Sequence, residues 1–284
     1  MQAEHVLSIN NTLGEGPVWH PEEGKLYWVD IQSDCFYRWT PGDAAPERFD
    51  VGQPVGTVVF REQGGLVLAL RDGLAFWDET TQKLDFIIDP EADKPDARFN
   101  DGKVDPQGRF WAGTMAEDSK LYRLDTDLSL HVMETGIRTS NGLDWSPDRT
   151  IMYYTDTPQG VIWAYDYDDA SGAISNRRTV VEKREGEGGP DGLCVDSEGY
   201  IWGARWGGWR VNRYTPDGQL DLVVEVPVEK VTSCCFGGPN LDELYITCAS
   251  VGFTDEDWQK QPQAGDIFHI KTGVKGQVAT KFKG

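Results

Sequence analysis

Apolar and polar residues alternate with a period of two along most of this chain, in short runs such as Lys25–Val29 (KLYWV), Ile151–Thr155 (IMYYT) and Val161–Asp168 (VIWAYDYD). That period sends neighbouring side chains to opposite faces of a strand, and it leaves no 3.6-residue stripe from which an amphipathic helix could be built. Pro-Asp, Gly-Gly and Glu-Gly pairs close the runs and favour turns. The pattern predicts an all-β protein and excludes a solenoid of helices.

The runs also recur as larger units. Asp191–Trp206 (DGLCVDSEGYIWGARW) aligns without a gap on Asn100–Met115 (NDGKVDPQGRFWAGTM), anchored on Val-Asp, on Gly199 and Gly108, and on Trp202 and Trp111. The stretches from Asn141 and Glu15 align if Trp145 and Trp19 take the Val195 position. Weaker copies from Gly56 and Thr232, anchored on Phe60 and Phe236, complete six. The copies begin at 15, 56, 100, 141, 191 and 232, at intervals of 41, 44, 41, 50 and 41 residues. A strand-turn-strand unit repeating every ~40–50 residues is the signature of a β-propeller. One blade cannot bury both of its faces, so its neighbours must cover it and the ring must be closed. The expected architecture is a six-bladed β-propeller forming one domain over residues 1–284. Its ring is expected to close where His5–Ile9 (HVLSI) pairs with strands of the C-terminal segment.

Composition narrows the partners. The chain has 284 residues and a net charge of −20, from 27 basic and 47 acidic side chains, so a nucleic-acid or anionic membrane surface would be repelled. No run approaches the ~20 apolar residues of a membrane span, and the opening MQAEHVLSINN has no signal-peptide pattern, so a cytoplasmic protein is expected. Five cysteines without C-x-x-C spacing (Cys35, Cys194, Cys234, Cys235 and Cys248) predict buried free thiols, with Cys234 and Cys235 on opposite faces of one strand.

In a propeller the first strand of each blade lies nearest the central channel, so equivalent positions of the six units face one ring. The head positions are Glu15, Gly56, Asn100, Asn141, Asp191 and Thr232. Two carboxylates and two carboxamides converging in this way suit a hard divalent cation, with waters completing the shell. No His or Cys stands at a head, which argues against a His- or Cys-rich structural zinc site. Taken singly, Asn100 and Asn141 are better explained as turn caps, Glu15 as a solvated carboxylate and Asp191 as a turn residue in Pro190-Asp191-Gly192. Their shared register favours the site. A nucleophilic triad is disfavoured, since Ser140 lacks a G-x-S-x-G elbow and no histidine (5, 20, 131 or 269) falls near it in register. No Gly-rich loop opens a helix, which disfavours nucleotide phosphates.

The motifs LGEGPVW with Glu15, RFNDGKVD with Arg98 and Asn100, SNGLDWS with Asn141 and PDGLCVD with Asp191 occur together with ISNRR and TSCCFGG. Over essentially its whole length the chain resembles the SMP-30/gluconolactonase family, also called the regucalcin family. The resemblance implies a six-bladed propeller that binds one divalent metal through Glu15, Asn141 and Asp191. The metal identity stays open among calcium, zinc, manganese, magnesium and iron. It further implies hydrolysis of a sugar lactone, such as gluconolactone or a pentonolactone, to the aldonic acid, with the metal polarising the carbonyl and activating water. Arg98 and Asn100 are then substrate contacts. Asp118, following GTMAE, is a further acidic contact where relatives resembling the mammalian protein have Glu. Asp191 is expected as ligand first and as catalytic base second, because a nearby cation weakens a carboxylate as a base.

Two other functions fit the same residues: a calcium-binding or scaffold propeller without turnover, and a hydrolase of organophosphate or aryl esters. In Ala204–Arg210 (ARWGGWR), Trp206 and Trp209 suit blade packing better than a sugar platform. Arg205 is a candidate partner for an acidic lactone substituent. The segment Glu182–Gly192 (EKREGEGGPDG) is expected as a flexible loop at the channel mouth.

Overall fold

The computed structural model describes all residues, Met1–Gly284, and is built almost wholly of strands. β1 (Glu4–Leu7) comes first, followed by β2 (Gly14–His20), β3 (Lys25–Asp30), β4 (Cys35–Trp39) and β5 (Glu47–Asp50). The second unit holds β6 (Val55–Phe60), β7 (Leu66–Leu70), β8 (Gly73–Asp78) and β9 (Lys83–Ile88). Next come β10 (Arg98–Val104), β11 (Phe110–Leu124), β12 (Leu130–Trp145), β13 (Ile151–Asp156), β14 (Val161–Tyr167) and β15 (Ile174–Glu182). β16 (Gly189–Val195), β17 (Ile201–Trp206), β18 (Arg210–Tyr214) and β19 (Leu220–Glu225) follow, then β20 (Val231–Gly237), β21 (Glu243–Cys248), the short helix α1 (Asp255–Lys260) and β22 (Ile267–Lys271).

These strands form a propeller of five hydrogen-bonded sheets, not the six separate blades expected. Four sheets have four strands each, and β10 to β15 form one six-stranded sheet. The cause lies in β12. Its first half pairs with β11, from Leu130 opposite Leu124 to Thr139 opposite Met115, and its second half pairs with β13, from Ser140 opposite Asp156 to Trp145 opposite Met152. At the other junctions the ladder is broken by proline (Pro54, Pro95 and Pro227) or by the Gly-rich residues 183–188, whereas 130–145 contains no proline. Two repeat units therefore share one unbroken strand. The ring closes as expected: β1 pairs with β22, with Glu4 opposite His269 and His5 opposite Phe268.

The repeat has a physical basis in one recurring hydrogen-bond set. Asp105 is fully buried, accepts the Gln107 and Arg109 amides at 2.9 and 3.0 Å, and takes Trp111 Nε1 at 2.9 Å. Asp196 does the same for the Glu198 and Tyr200 amides and for Trp202 Nε1, at 2.9, 3.0 and 2.9 Å. Each aspartate ties its turn to the tryptophan of the next strand, and a buried carboxylate is retained only with such donors. The Asp and Trp anchors that align these two units are the same residues.

Between sheets the core is apolar and divides into separate clusters. Tyr27, Val29 and Phe36 of the first sheet pack on Val58, Leu68 and Ala75 of the second, for example. All five cysteines are free and buried, and Cys234 and Cys235 enter different core clusters, as their adjacency predicts. Beyond β22 the tail crosses the end of the ring where the inner strands finish. Lys275 O accepts Ser197 N, Gln277 Nε2 donates to Trp145 O at 2.8 Å, and Phe282 N donates to Phe60 O. Gln277, Val278, Ala279 and Thr280 of the tail line a cavity of about 110 Å³ at that end. The heads of the inner strands lie at the other end.

Candidate functional site

All six heads fall on inner strands: Glu15 on β2, Gly56 on β6, Asn100 on β10, Asn141 on β12, Asp191 on β16 and Thr232 on β20. Each inner strand loses its regular register at its head, between Glu15 and Val18, Val55 and Thr57, Phe99 and Gly102, Ser140 and Leu143, Pro190 and Leu193, and Val231 and Ser233. A bulge re-aims side chains away from strict alternation, and here it does so six times around one opening. Close approach of the inner strands requires glycine at two of these bends. A side chain at Gly56 would strike the Asn100 carbonyl, and one at Gly142 would strike the Leu193 amide.

Glu15, Asn141 and Asp191 are all buried, at 5%, 4% and 4% exposure. The Asn141 amide nitrogen donates to Thr157 Oγ1 at 3.0 Å, which aims its oxygen the other way. That oxygen, and Asp191 Oδ1, have no partner. Burial, then the charge of Asp101, pushes the Glu15 carboxyl up to about 8, against the opposing pull of the Gly16 amide and Arg98. Burial, then Glu15 and Asp101, drives Asp191 well above the usual carboxylate range, while hydrogen bonds from Asn141 and the Gly192 amide oppose it.

Asp101 is the residue that sequence reasoning missed. It is 9% exposed, and burial raises its carboxyl to about 6, opposed by the Gly102 amide at 2.7 Å and by Lys103. A regular strand would turn Asn100 and Asp101 to opposite faces, and the bulge at Phe99–Gly102 removes that alternation. The repeat did carry a signal. At this position the other units hold Gly16, Thr57, Gly142, Gly192 and Ser233, all small, and only the third unit has a carboxylate. Below it, Lys103 Nζ pairs with Asp144 at 2.7 Å and bridges β10 to β12.

The expected substrate contacts separate. Arg98 Nη1 donates to Asn100 Oδ1 at 2.6 Å and to Phe99 O at 3.0 Å, and burial lowers the guanidinium from its ordinary value while Glu15 opposes. Asn100 donates in turn to Ser140 O at 2.8 Å, so it holds the backbone directly before Asn141. Asp118 stands apart from the buried group. It is exposed, in a left-handed bend (φ 62°), with its carbonyl accepting from Lys94 Nζ at 3.2 Å. Arg205 does not face the opening: it is fully buried, bonded to the Tyr214 hydroxyl.

The donor set fits a hard divalent cation. Two buried oxygen acceptors lack partners, and two carboxyls disfavour each other's ionisation, so a positive charge between them would satisfy both. No three His, Cys, Asp or Glu side chains converge as a metal-holding group, and Asp101, outside the heads, acts on both carboxyls through its charge. The set is two carboxylates and one neutral carboxamide.

Residues 13–250 match the family model described as SMP-30/Gluconolactonase/LRE-like region. The chain belongs to this family. Family-wide likeness extends over nearly the whole molecule. Regucalcin of Xenopus laevis is 41% identical over 297 residues, covering 100% of this chain and 99% of the relative. A solved luciferin-regenerating enzyme is 33% identical with a TM-score of 0.92, covering 99% of each chain. The structure of a calcium-binding protein, regucalcin, from Agrobacterium tumefaciens is 27% identical, with a TM-score of 0.94 and coverage of 99% and 97%. As a member of the SMP-30/gluconolactonase family, the chain has the architecture on which sugar-lactone hydrolysis is the expected chemistry.

Proposed function

We propose that this protein is a divalent-metal-dependent lactonase that hydrolyses a sugar lactone to its aldonic acid. One observation carries the reading: Asn141 Oδ1 and Asp191 Oδ1 are buried without partners beside Glu15, in a family whose model is named for gluconolactonase. Glu15, Asn141 and Asp191 would hold the cation, which supplies Lewis acidity toward the lactone carbonyl and toward water. Calcium is one candidate, since the Agrobacterium relative is a calcium-binding protein.

The chain's own groups do the rest. Arg98 directs guanidinium N–H groups at the opening, where they hydrogen-bond the ring oxygen or hydroxyls of the lactone. Asn100 fixes the Ser140 carbonyl and so sets the position of Asn141. Asp118 reaches substrate only from the rim. In the overall reaction a water oxygen bonds to the acyl carbon, the ring C–O bond breaks, and the proton lost by water is restored to the leaving ring oxygen. Asp191 is a ligand first and a proton carrier second. Residues 1–284 act as one domain, and five free buried thiols suit a reducing cytoplasm.

The test is acid release in a pH-stat from a panel of aldonolactones and aryl esters. Turnover of a lactone that falls at least tenfold in Arg98→Ala supports the proposal. Metal binding without acid release from any lactone would favour a calcium-binding propeller instead, and faster turnover of aryl esters would also contradict it.

A further inference from the structure

Beside the opening lies a groove of about 560 Å³ between the β13–β14 turn and the start of β16, a volume within the ~300–1,000 Å³ typical of small-molecule sites. It adjoins the proposed metal site through two residues. Thr157 on its wall accepts the Asn141 amide, and Gly189, two residues before Asp191, lies opposite Trp206 in the β16–β17 ladder. The remaining chemistry comes from Gln159, Glu182, Lys183 and the Trp206 indole.

Counting the groups left free shows what this groove would take. Thr157 Oγ1 is used as an acceptor, so its hydrogen remains to donate. Gln159 spends its amide nitrogen on Asp156 Oδ2 at 2.6 Å and keeps its carbonyl oxygen as an acceptor. Glu182 and Lys183 are exposed and form no ion pair, which adds a strong acceptor and a strong donor. Trp206 is held by Lys230, whose Nζ lies 5.6 Å from its ring centre, and supplies a rigid apolar plate. Donors and acceptors together with an indole face match the hydroxyls and C–H face of a pyranose. The adjacent charges of opposite sign give an anion no net attraction.

We propose that this groove is a subsite for a second, neutral sugar, so that the substrate class extends to disaccharide-derived aldonolactones with the lactone ring at Asn141 and Asp191 and the glycosyl unit on Trp206. The inference rests on the lactonase reading for its catalytic consequence, but binding tests it alone. Isothermal titration of the metal-loaded protein would compare a disaccharide alditol with the corresponding monosaccharide alditol. The disaccharide should bind at least tenfold more tightly, and Lys183→Ala and Trp206→Ala should each reduce that ratio at least threefold. In acid-release assays the ratio of kcat/KM for disaccharide over monosaccharide lactone should fall in parallel. Glu182→Ala, at an exposed position, serves if Trp206→Ala does not fold. Equal affinity for the two alditols, or a ratio unmoved by the substitutions, would overturn the subsite. Tight alditol binding without hydrolysis of any lactone would retain the subsite and reject the lactonase.

Discussion

Glu15→Gln should stabilise the metal-free protein and destabilise the metal-loaded one. In the metal-free state the Glu15 carboxyl is raised from 4.5 to about 8 by burial and Asp101. A carboxyl raised on folding favours the folded state fully below its unfolded value, and this contribution is lost as pH rises through the folded value. Wild type stripped of metal should therefore lose stability between about pH 4.5 and pH 8, by on the order of 4 kcal/mol from this group. Glutamine keeps an oxygen for the Gly16 amide and carries no charge to bury. In excess chelator at pH 8 the variant should melt roughly 5–10 °C above wild type, at about 2 °C per kcal/mol for a chain of this length, and near it at pH 5. Metal should reverse the order at pH 8 once wild type is offered cation at on the order of 10⁴ Kd, which adds about 5.5 kcal/mol to a protein that binds it and so exceeds the gap of about 4 kcal/mol. Calorimetry at the two pH values, with chelator and with metal, reads all four states. A variant that melts below wild type in chelator at pH 8 would refute the reasoning.

Asn141→Ala removes one neutral oxygen ligand and should weaken metal affinity roughly 5- to 100-fold by titration while leaving the β circular-dichroism spectrum unchanged. Unchanged affinity would return Asn141 to a turn. Arg98→Ala should cost about 2–3 kcal/mol in kcat/KM, some 30- to 150-fold, with metal affinity within threefold of wild type. Trp111→Phe leaves buried Asp105 one donor short and should lower stability by about 1–3 kcal/mol in urea unfolding, with Trp202→Phe doing the same at Asp196.

Two of the six units, those from Asn100 and Asp191, were legible because the same physical groups recur in them, and the other four followed from the strand-turn-strand pattern and aromatic anchors. Val-Asp, the turn glycine and tryptophan align because aspartate must satisfy its buried carboxylate with that turn and that indole. The heads were legible for a related reason, since one register places Glu15, Asn141 and Asp191 around one opening. Backbone departures from alternation were not. Asp101 faces the charged group through a bulge that no period-two pattern encodes, and β12 joins two units in one sheet because nothing in 130–145 stops a strand. Arg205 shows the converse: an arginine within the ARWGGWR motif is fully buried against the Tyr214 hydroxyl of the neighbouring strand in its own sheet. Trp206 and the Glu182–Gly192 segment were visible as residues, yet the groove they share appears only when two distant turns are brought together.

The most direct measurement is acid release from a sugar lactone by protein stripped of metal and then refilled. Activity should fall by at least a hundredfold in excess chelator and return in proportion to divalent cation bound at one site per chain. The same refilling should fail to restore Asp191→Ala. Full turnover in chelator would contradict metal dependence, and restored turnover in Asp191→Ala would contradict the placement of the site.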